Sequence, residues 1–152
     1  MNKEIDRAVV SFNDFDLQKP LLDAINKLGF EYCTPIQAQS LLHTLAGHDV
    51  TGRAQTGTGK TAAFLITIIN DLLSNPIEGQ RYIAEPRALI VAPTRELAIQ
   101  IGSDSQELNA CCDIYTVTLV GGEEYAKQDR LLEAKPVDIV VATPGRLLDF
   151  IQ

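Results

Sequence analysis

Asp49-Val50-Thr51-Gly52-Arg53 followed by Ala54-Gln55-Thr56-Gly57-Thr58-Gly59-Lys60-Thr61 and then Ala62-Ala63-Phe64-Leu65-Ile66 reads as a short strand, a loop and the start of an apolar helix. The middle run has the pattern of a phosphate-binding loop. Glycines let the backbone wrap a phosphate chain with its N–H groups pointing inward. Lys60 supplies a point charge for the outer phosphates, and Thr61 supplies a hydroxyl for Mg²⁺. The helix that follows aims its positive N-terminal end at the same anion. The usual first glycine is replaced by Ala54, which a residue still in β geometry tolerates. A Gly/Thr turn that only joins strand to helix is the plainer alternative. It leaves Lys60 unexplained, because a cation in the first helical turn opposes the helix dipole by some tenths of a kcal/mol.

Strand-like and helix-like segments alternate outward from this loop. Leu89-Ile90-Val91-Ala92 is a buried-strand run, and residues 94–108 then show helical spacing. Residues 115–120 form a second such run, followed by Gly121-Gly122 and a polar helix near 123–133. Residues 138–142 form a third, and residues 144–151 begin another helix. With residues 49–53, four strands are expected, each followed by a helix. They are apolar without alternation, as a sheet covered on both faces requires. The class is α/β with a mainly parallel sheet flanked by helices. Ahead of it, residues 17–28 and 35–45 read as two helices broken by Gly29, and residues 75–86 read as a surface loop. Residues 1–48 thus form a leading region and residues 49–152 the sheet domain.

Three strand ends share one pattern: Ala54 to Gly59-Lys60-Thr61, Ala92-Pro93-Thr94-Arg95, and Ala142-Thr143-Pro144-Gly145-Arg146. Each has a Thr with Pro or Gly, then a cation in the opening turn of a helix. In a parallel sheet these junctions lie on the carboxyl edge, where ligands bind. Thr94 and Thr143 suit N-caps, and Pro144 suits a first helical turn. The arginines break the preference for acids at that place. Three violations on one edge suggest anionic ligands: a nucleotide at one loop and successive phosphates of a nucleic-acid backbone at the others. The alternative is that Arg95 and Arg146 pair with acidic neighbours such as Asp149.

Composition sets limits on these readings. The chain has 152 residues, 45% hydrophobic and 22% charged, which suits one soluble domain with a real core. Its 13 basic and 20 acidic residues leave a net charge of −7, so nucleic acid would be gripped by a local patch and not by bulk charge. Cys33, Cys111 and Cys112 lack metal-ligand spacing and suit a reducing compartment. His43 and His48 have no partners in a zinc-like pattern and read as surface or helix-end residues. Met1-Asn2-Lys3-Glu4 lacks an apolar signal segment, and the apolar stretch near residues 62–69 is too short to span a bilayer. The cytoplasm is the default compartment.

Five stretches, in order, resemble the motifs of DEAD-box ATP-dependent RNA helicases. Gly29-Phe30-Glu31-Tyr32-Cys33-Thr34-Pro35-Ile36-Gln37 is similar to that family's Q motif, with Phe12 where its upstream aromatic lies. Residues 54–61 match motif I letter for letter, Ala54 included. Pro93-Thr94-Arg95-Glu96-Leu97-Ala98 matches motif Ia, Gly121-Gly122 the GG motif, and Thr143-Pro144-Gly145-Arg146 motif Ib. The resemblance covers nearly the whole chain and is greatest to bacterial members associated with RNA turnover, whose proteins would then be partners.

The resemblance implies a RecA-like P-loop domain that binds ATP or ADP with Mg²⁺. Gln37 would read the adenine edge, since its amide donates and accepts at once. Phe12 would stack on the base. Thr56, Gly57, Thr58, Gly59, Lys60 and Thr61 would hold the phosphates, with Lys60 and Thr61 serving catalysis and Thr61 meeting Mg²⁺ through the nucleotide. Pro93, Thr94, Arg95, Gly121, Gly122, Thr143, Pro144, Gly145 and Arg146 would face the RNA backbone. Such contacts set position and not sequence.

The Asp-Glu-Ala-Asp motif, the Ser-Ala-Thr motif and the second RecA-like domain with its arginine fingers do not occur before Gln152. The chain is therefore expected to be the amino-terminal part of such a helicase, inactive in hydrolysis by itself, with the carboxyl-terminal strands of the domain missing. In the family's sheet order those strands lie between the phosphate-loop strand and the motif Ia strand. Their absence would leave the flanking strands roughly 14 Å apart, uncover Val50, Leu89, Ile90 and Val91, and favour self-association through open edges. A module that binds nucleotide or RNA without turnover is the second reading. A P-loop kinase or small GTPase is a third, but no Asn-Lys-x-Asp guanine signature is present.

Overall fold

The structure is a computed structural model, and it describes residues 9–53 and 59–152. Helices α1 (Lys19–Lys27), α2 (Pro35–Thr44) and α3 (Lys60–Ser74) precede three βα units. These are β1 (Ala88–Val91) with α4 (Arg95–Leu108), β2 (Thr116–Leu119) with α5 (Tyr125–Ala134), and β3 (Ile139–Ala142) with α6 (Pro144–Ile151). The strands form a parallel sheet in the order β1-β3-β2, with Leu89 opposite Val140 and Val117 opposite Val140 on the other side. This is the helix-flanked parallel sheet of a RecA-like domain.

The two helices expected at the amino-terminal end are both formed. In α1 the apolar positions Leu21, Ala24 and Ile25 lie three and four apart, so they share one buried face. Gly29, at φ +79°, takes the left-handed turn that ends this helix. Helix α2 begins at Thr34, whose hydroxyl accepts from the Gln37 backbone N–H while the Gln37 side chain accepts from the Thr34 N–H. Helix α3 is the most apolar of these and buries Ala63, Leu65, Ile66, Ile69 and Leu72.

Helices cover both faces of the sheet at β2 and β3. Ile90, Ile139 and Val141 pack with α1, α3 and α4 in one core. Val117, Leu119, Val140 and Ala142 pack with Leu132 of α5 and Leu147 and Phe150 of α6 in a second. Thr116 fastens β2 to α4: its hydroxyl lies 2.9 Å from Ser105 Oγ and accepts from Asn109 Nδ2 at 3.2 Å. At the same amino-terminal end of the strands, buried Asp138 holds Arg81 at 2.9 Å and accepts from the Tyr115 N–H at 2.8 Å. That pair anchors the loop 75–86, which carries no helix or strand as expected.

Two expectations are corrected. Residues 49–53 are not a strand. They are exposed, and Val50 is 42% accessible. The free edge of β1 has no partner among the described residues, and an isolated five-residue stretch without one satisfies its backbone in water. The described sheet therefore has three strands, not four. The second correction concerns cover. Strand β1 alternates, with Ile90 buried but Leu89 and Val91 about half exposed at 52% and 51%. Its second face lies beyond the reach of α5 and α6. A cleft of about 570 Å³ separates residues 47–50 from α3 and the start of β1. Residues 49–53 do not pair with β1, and Ile90 keeps its cover.

Candidate functional site

Gln37 joins the leading region to the phosphate loop. It is buried, with its Oε1 accepting from the Thr34 N–H at 2.9 Å and its Nε2 donating to the Gly59 carbonyl at 3.3 Å. Thr34-Pro35-Ile36-Gln37 is a capping box, a threonine answered three residues later by glutamine, and that signal is readable in sequence. Gly59 is the N-cap of α3 at φ +85°. A Cβ there would run into Gln37 Nε2, so this position demands glycine for both conformation and space. Helix α3 then opens with Lys60 and Thr61, has no acid in its first turn and no side-chain cap. These residues fit an anion, which the positive end of the helix would attract. Thr56, Gly57 and Thr58, with Ala54 and Gln55, lie outside the described residues. Among the described residues no group of His, Cys, Asp and Glu is arranged to hold a metal ion.

Phe12 is placed differently from a base-stacking ring. It is 1% exposed and packs in the main core. It sits in a 3-10 turn, Phe12–Asp14, capped by Ser11. The Phe12 N–H donates to the Glu31 carbonyl at 3.2 Å, and the Cys33 N–H donates to the Val10 carbonyl at 2.7 Å. The upstream aromatic thus clamps its segment onto the stretch before Gln37, with no ring face open to a ligand. Burial pushes the neighbouring Cys33 thiol up to about 11, with the Asp14 carboxylate adding to the effect.

The other candidate residues meet along the carboxyl ends of the strands. Pro93, Thr94 and Arg95 are exposed after β1, and Thr94 caps α4 by accepting from the Leu97 N–H at 3.3 Å. Gly121 and Gly122 follow β2, and Gly122, at φ +80°, lies so close beneath Arg95 that a Cβ would come 2.6 Å from Nη1. Thr143, Pro144 and Gly145 follow β3, and Thr143 occupies the N-cap position of α6 without a side-chain cap bond. Arg95 reaches Glu123 at 3.9 Å. Arg146 donates to the Glu123 carbonyl at 3.2 Å and to Gln128 Oε1 at 3.0 Å, and it pairs with Asp149 at 3.5 Å. The ion pairs considered as alternatives therefore exist. Arg95 stays 46% exposed, whereas Arg146 is 12% exposed.

Sequence reading missed Glu123 and Gln128, which join these three junctions. Both lie in a polar stretch, and nothing in its pattern separates them from the solvated residues around them.

The family model for the DEAD/DEAH box helicase matches residues 34–152. The ATP-dependent RNA helicase RhlB of Pseudomonas aeruginosa (strain UCBPP-PA14) is 59% identical over 93% of this chain and 36% of the relative. The protein of the same name from Serratia proteamaculans (strain 568) is 52% identical over 91% of this chain and 32% of the relative. The crystal structure of a DEAD box protein from the hyperthermophile Methanococcus jannaschii superimposes with a TM-score of 0.78 at 35% identity, covering 93% of this chain and 36% of that one. The chain spans about a third of the length of these relatives. With five motifs in order, a RecA-like sheet and a family model matched over most of its length, this chain belongs to the DEAD/DEAH box helicase family.

Proposed function

We propose that this chain is the nucleotide-binding and RNA-gripping part of an ATP-dependent RNA helicase of the cytoplasm, in which ATP use drives RNA unwinding by the whole protein. The adenine nucleotide lies between Gln37 and the loop 56–61. Lys60 meets the outer phosphates, and Thr61 offers the hydroxyl that would face a nucleotide-bound Mg²⁺. The RNA backbone runs along Thr94, Arg95, Gly122, Thr143 and Gly145, with Pro93, Gly121, Pro144 and Arg146 shaping that rim. Phe12 enters as the residue that fixes the segment before Gln37.

The observation that carries this reading is the bond from Gln37 Nε2 to the Gly59 carbonyl. It ties a base-reading amide to the start of α3. A glutamine amide has two N–H groups and two lone pairs. One of each is used, on Gly59 and Thr34. One of each is left for the donor–acceptor edge of adenine.

Calorimetry tests it. ADP should bind better than GDP, Gln37→Ala should narrow that difference, and Lys60→Ala should weaken both nucleotides alike. Equal binding of ADP and GDP by the unmodified chain would overturn the adenine assignment.

A further inference from the structure

Helix α5 is polar and buries a single residue, and that residue is Gln128, at 1% exposure. Three of its amide's four hydrogen-bonding positions are used. Nε2 donates to the Val120 carbonyl at 2.9 Å and to Glu123 Oε2 at 3.3 Å, and Oε1 accepts from Arg146 Nη1 at 3.0 Å. Val120 is the residue before Gly121-Gly122, and Arg146 lies in the first turn of α6. Gln128 therefore bolts the turn after β2 to the turn after β3. The Tyr125 ring closes the other side of Arg146, 5.9 Å from its guanidinium carbon, and is itself stacked on Phe150 at 4.3 Å. A buried amide with three partners costs much to disturb, because any partner left alone is a desolvated polar group.

We propose that Gln128 is a positioning residue for RNA: by holding Arg146 it fixes the distance between the Gly121-Gly122 turn and the Thr143–Gly145 turn, so that both meet successive phosphates. This rests on the RNA-backbone reading above. Arg146 is shielded from solvent, so its part in that reading is to transmit the geometry Gln128 imposes. Both bonds leave one nitrogen, Arg146 Nη1, whose two N–H groups lie in the guanidinium plane and so point in fixed directions at the Glu123 carbonyl and the Gln128 amide.

The test is the fluorescence anisotropy of a short labelled oligouridine across a series of KCl concentrations, with urea unfolding to confirm the fold of each variant. Gln128→Met should weaken binding by roughly five- to tenfold. Arg146→Met should do the same, and the double variant should be no weaker than either alone. Gln128→Glu keeps an acceptor for Arg146 but removes the donor to the Val120 carbonyl and sets a carboxylate beside Glu123 Oε2, so it should bind as weakly as Gln128→Met. Multiplying losses in the double variant, or Gln128→Glu binding like the unmodified chain, would overturn the proposal. Should Gln128→Met fail to fold, Arg146→Lys decides: it keeps the charge and loses the fixed in-plane directions of the two Nη1 N–H groups, so it should bind as weakly as Arg146→Met. Binding like the unmodified chain would mean that charge alone matters. If Arg95→Ala and Arg146→Met both leave affinity unchanged, the RNA reading itself falls. If they weaken binding and Gln128→Met does not, only the positioning role falls.

Discussion

Replacing Gly59 by alanine should damage the joint between the leading region and the phosphate loop in two separable ways. The backbone sits at φ +85°, where an L side chain costs about 1–2 kcal/mol. The new methyl would also strike Gln37 Nε2 and displace the amide. That displacement loses the bond to Gly59 and loosens the reciprocal cap at Thr34, about 1 kcal/mol more. Gly59→Ala should therefore destabilise by about 2–3 kcal/mol. In a Gln37→Ala background the collision is gone, and the same substitution should cost only the backbone part. The two changes should thus be non-additive by about 1 kcal/mol, as expected for residues in contact. Urea unfolding with an unchanged slope gives the numbers. Strict additivity, or a Gly59→Ala loss below about 0.5 kcal/mol, would show that Gln37 and Gly59 are neighbours without coupling.

Two further outcomes are expected. Arg95→Ala should lower the slope of log affinity for RNA against log salt by about one unit, since one phosphate contact is lost; an unchanged slope would assign Arg95 to Glu123 alone. The free edge and half-exposed Leu89 and Val91 of β1 should drive self-association, and Leu89→Lys should shift light scattering toward monomer. A monomeric unmodified chain with strongly protected β1 amides would refute this.

Much of the fold was legible because the signals were local. Pro35 and Pro144 open their helices, Gly29 ends one, and the continuous apolar runs around Ile90 and Val140 mark strands of the sheet. Residues 49–53 misled for a physical reason. A strand is a property of a pair, and the letters Asp49-Val50-Thr51-Gly52-Arg53 say nothing about whether a neighbour is present. Phe12 misled in another way: an aromatic at a motif position can be read as a ligand contact or as core, and only its packing against the main cluster decides. Gln128 was invisible because burial of a glutamine needs partners from two other turns, distant in sequence at Val120 and Arg146.

The arginines at the strand ends show how a ligand site and an internal ion pair share residues. The rule that acids belong in a first helical turn is broken at Arg95 and Arg146, and the chain answers each with its own acid, Glu123 and Asp149. The two answers differ in strength. Arg95 is about half exposed and stands 3.9 Å from a half-exposed carboxylate. Exposed pairs of that kind contribute about 0–1 kcal/mol, so a phosphate can exchange for Glu123 at little cost. Arg146 is nearly enclosed and donates to a carbonyl and an amide besides its ion pair. Withdrawing it would strand buried acceptors, which costs about 1–3 kcal/mol for each. The same local violation therefore marks two roles: a cation that can change partners, and a cation that holds the frame on which the first one works.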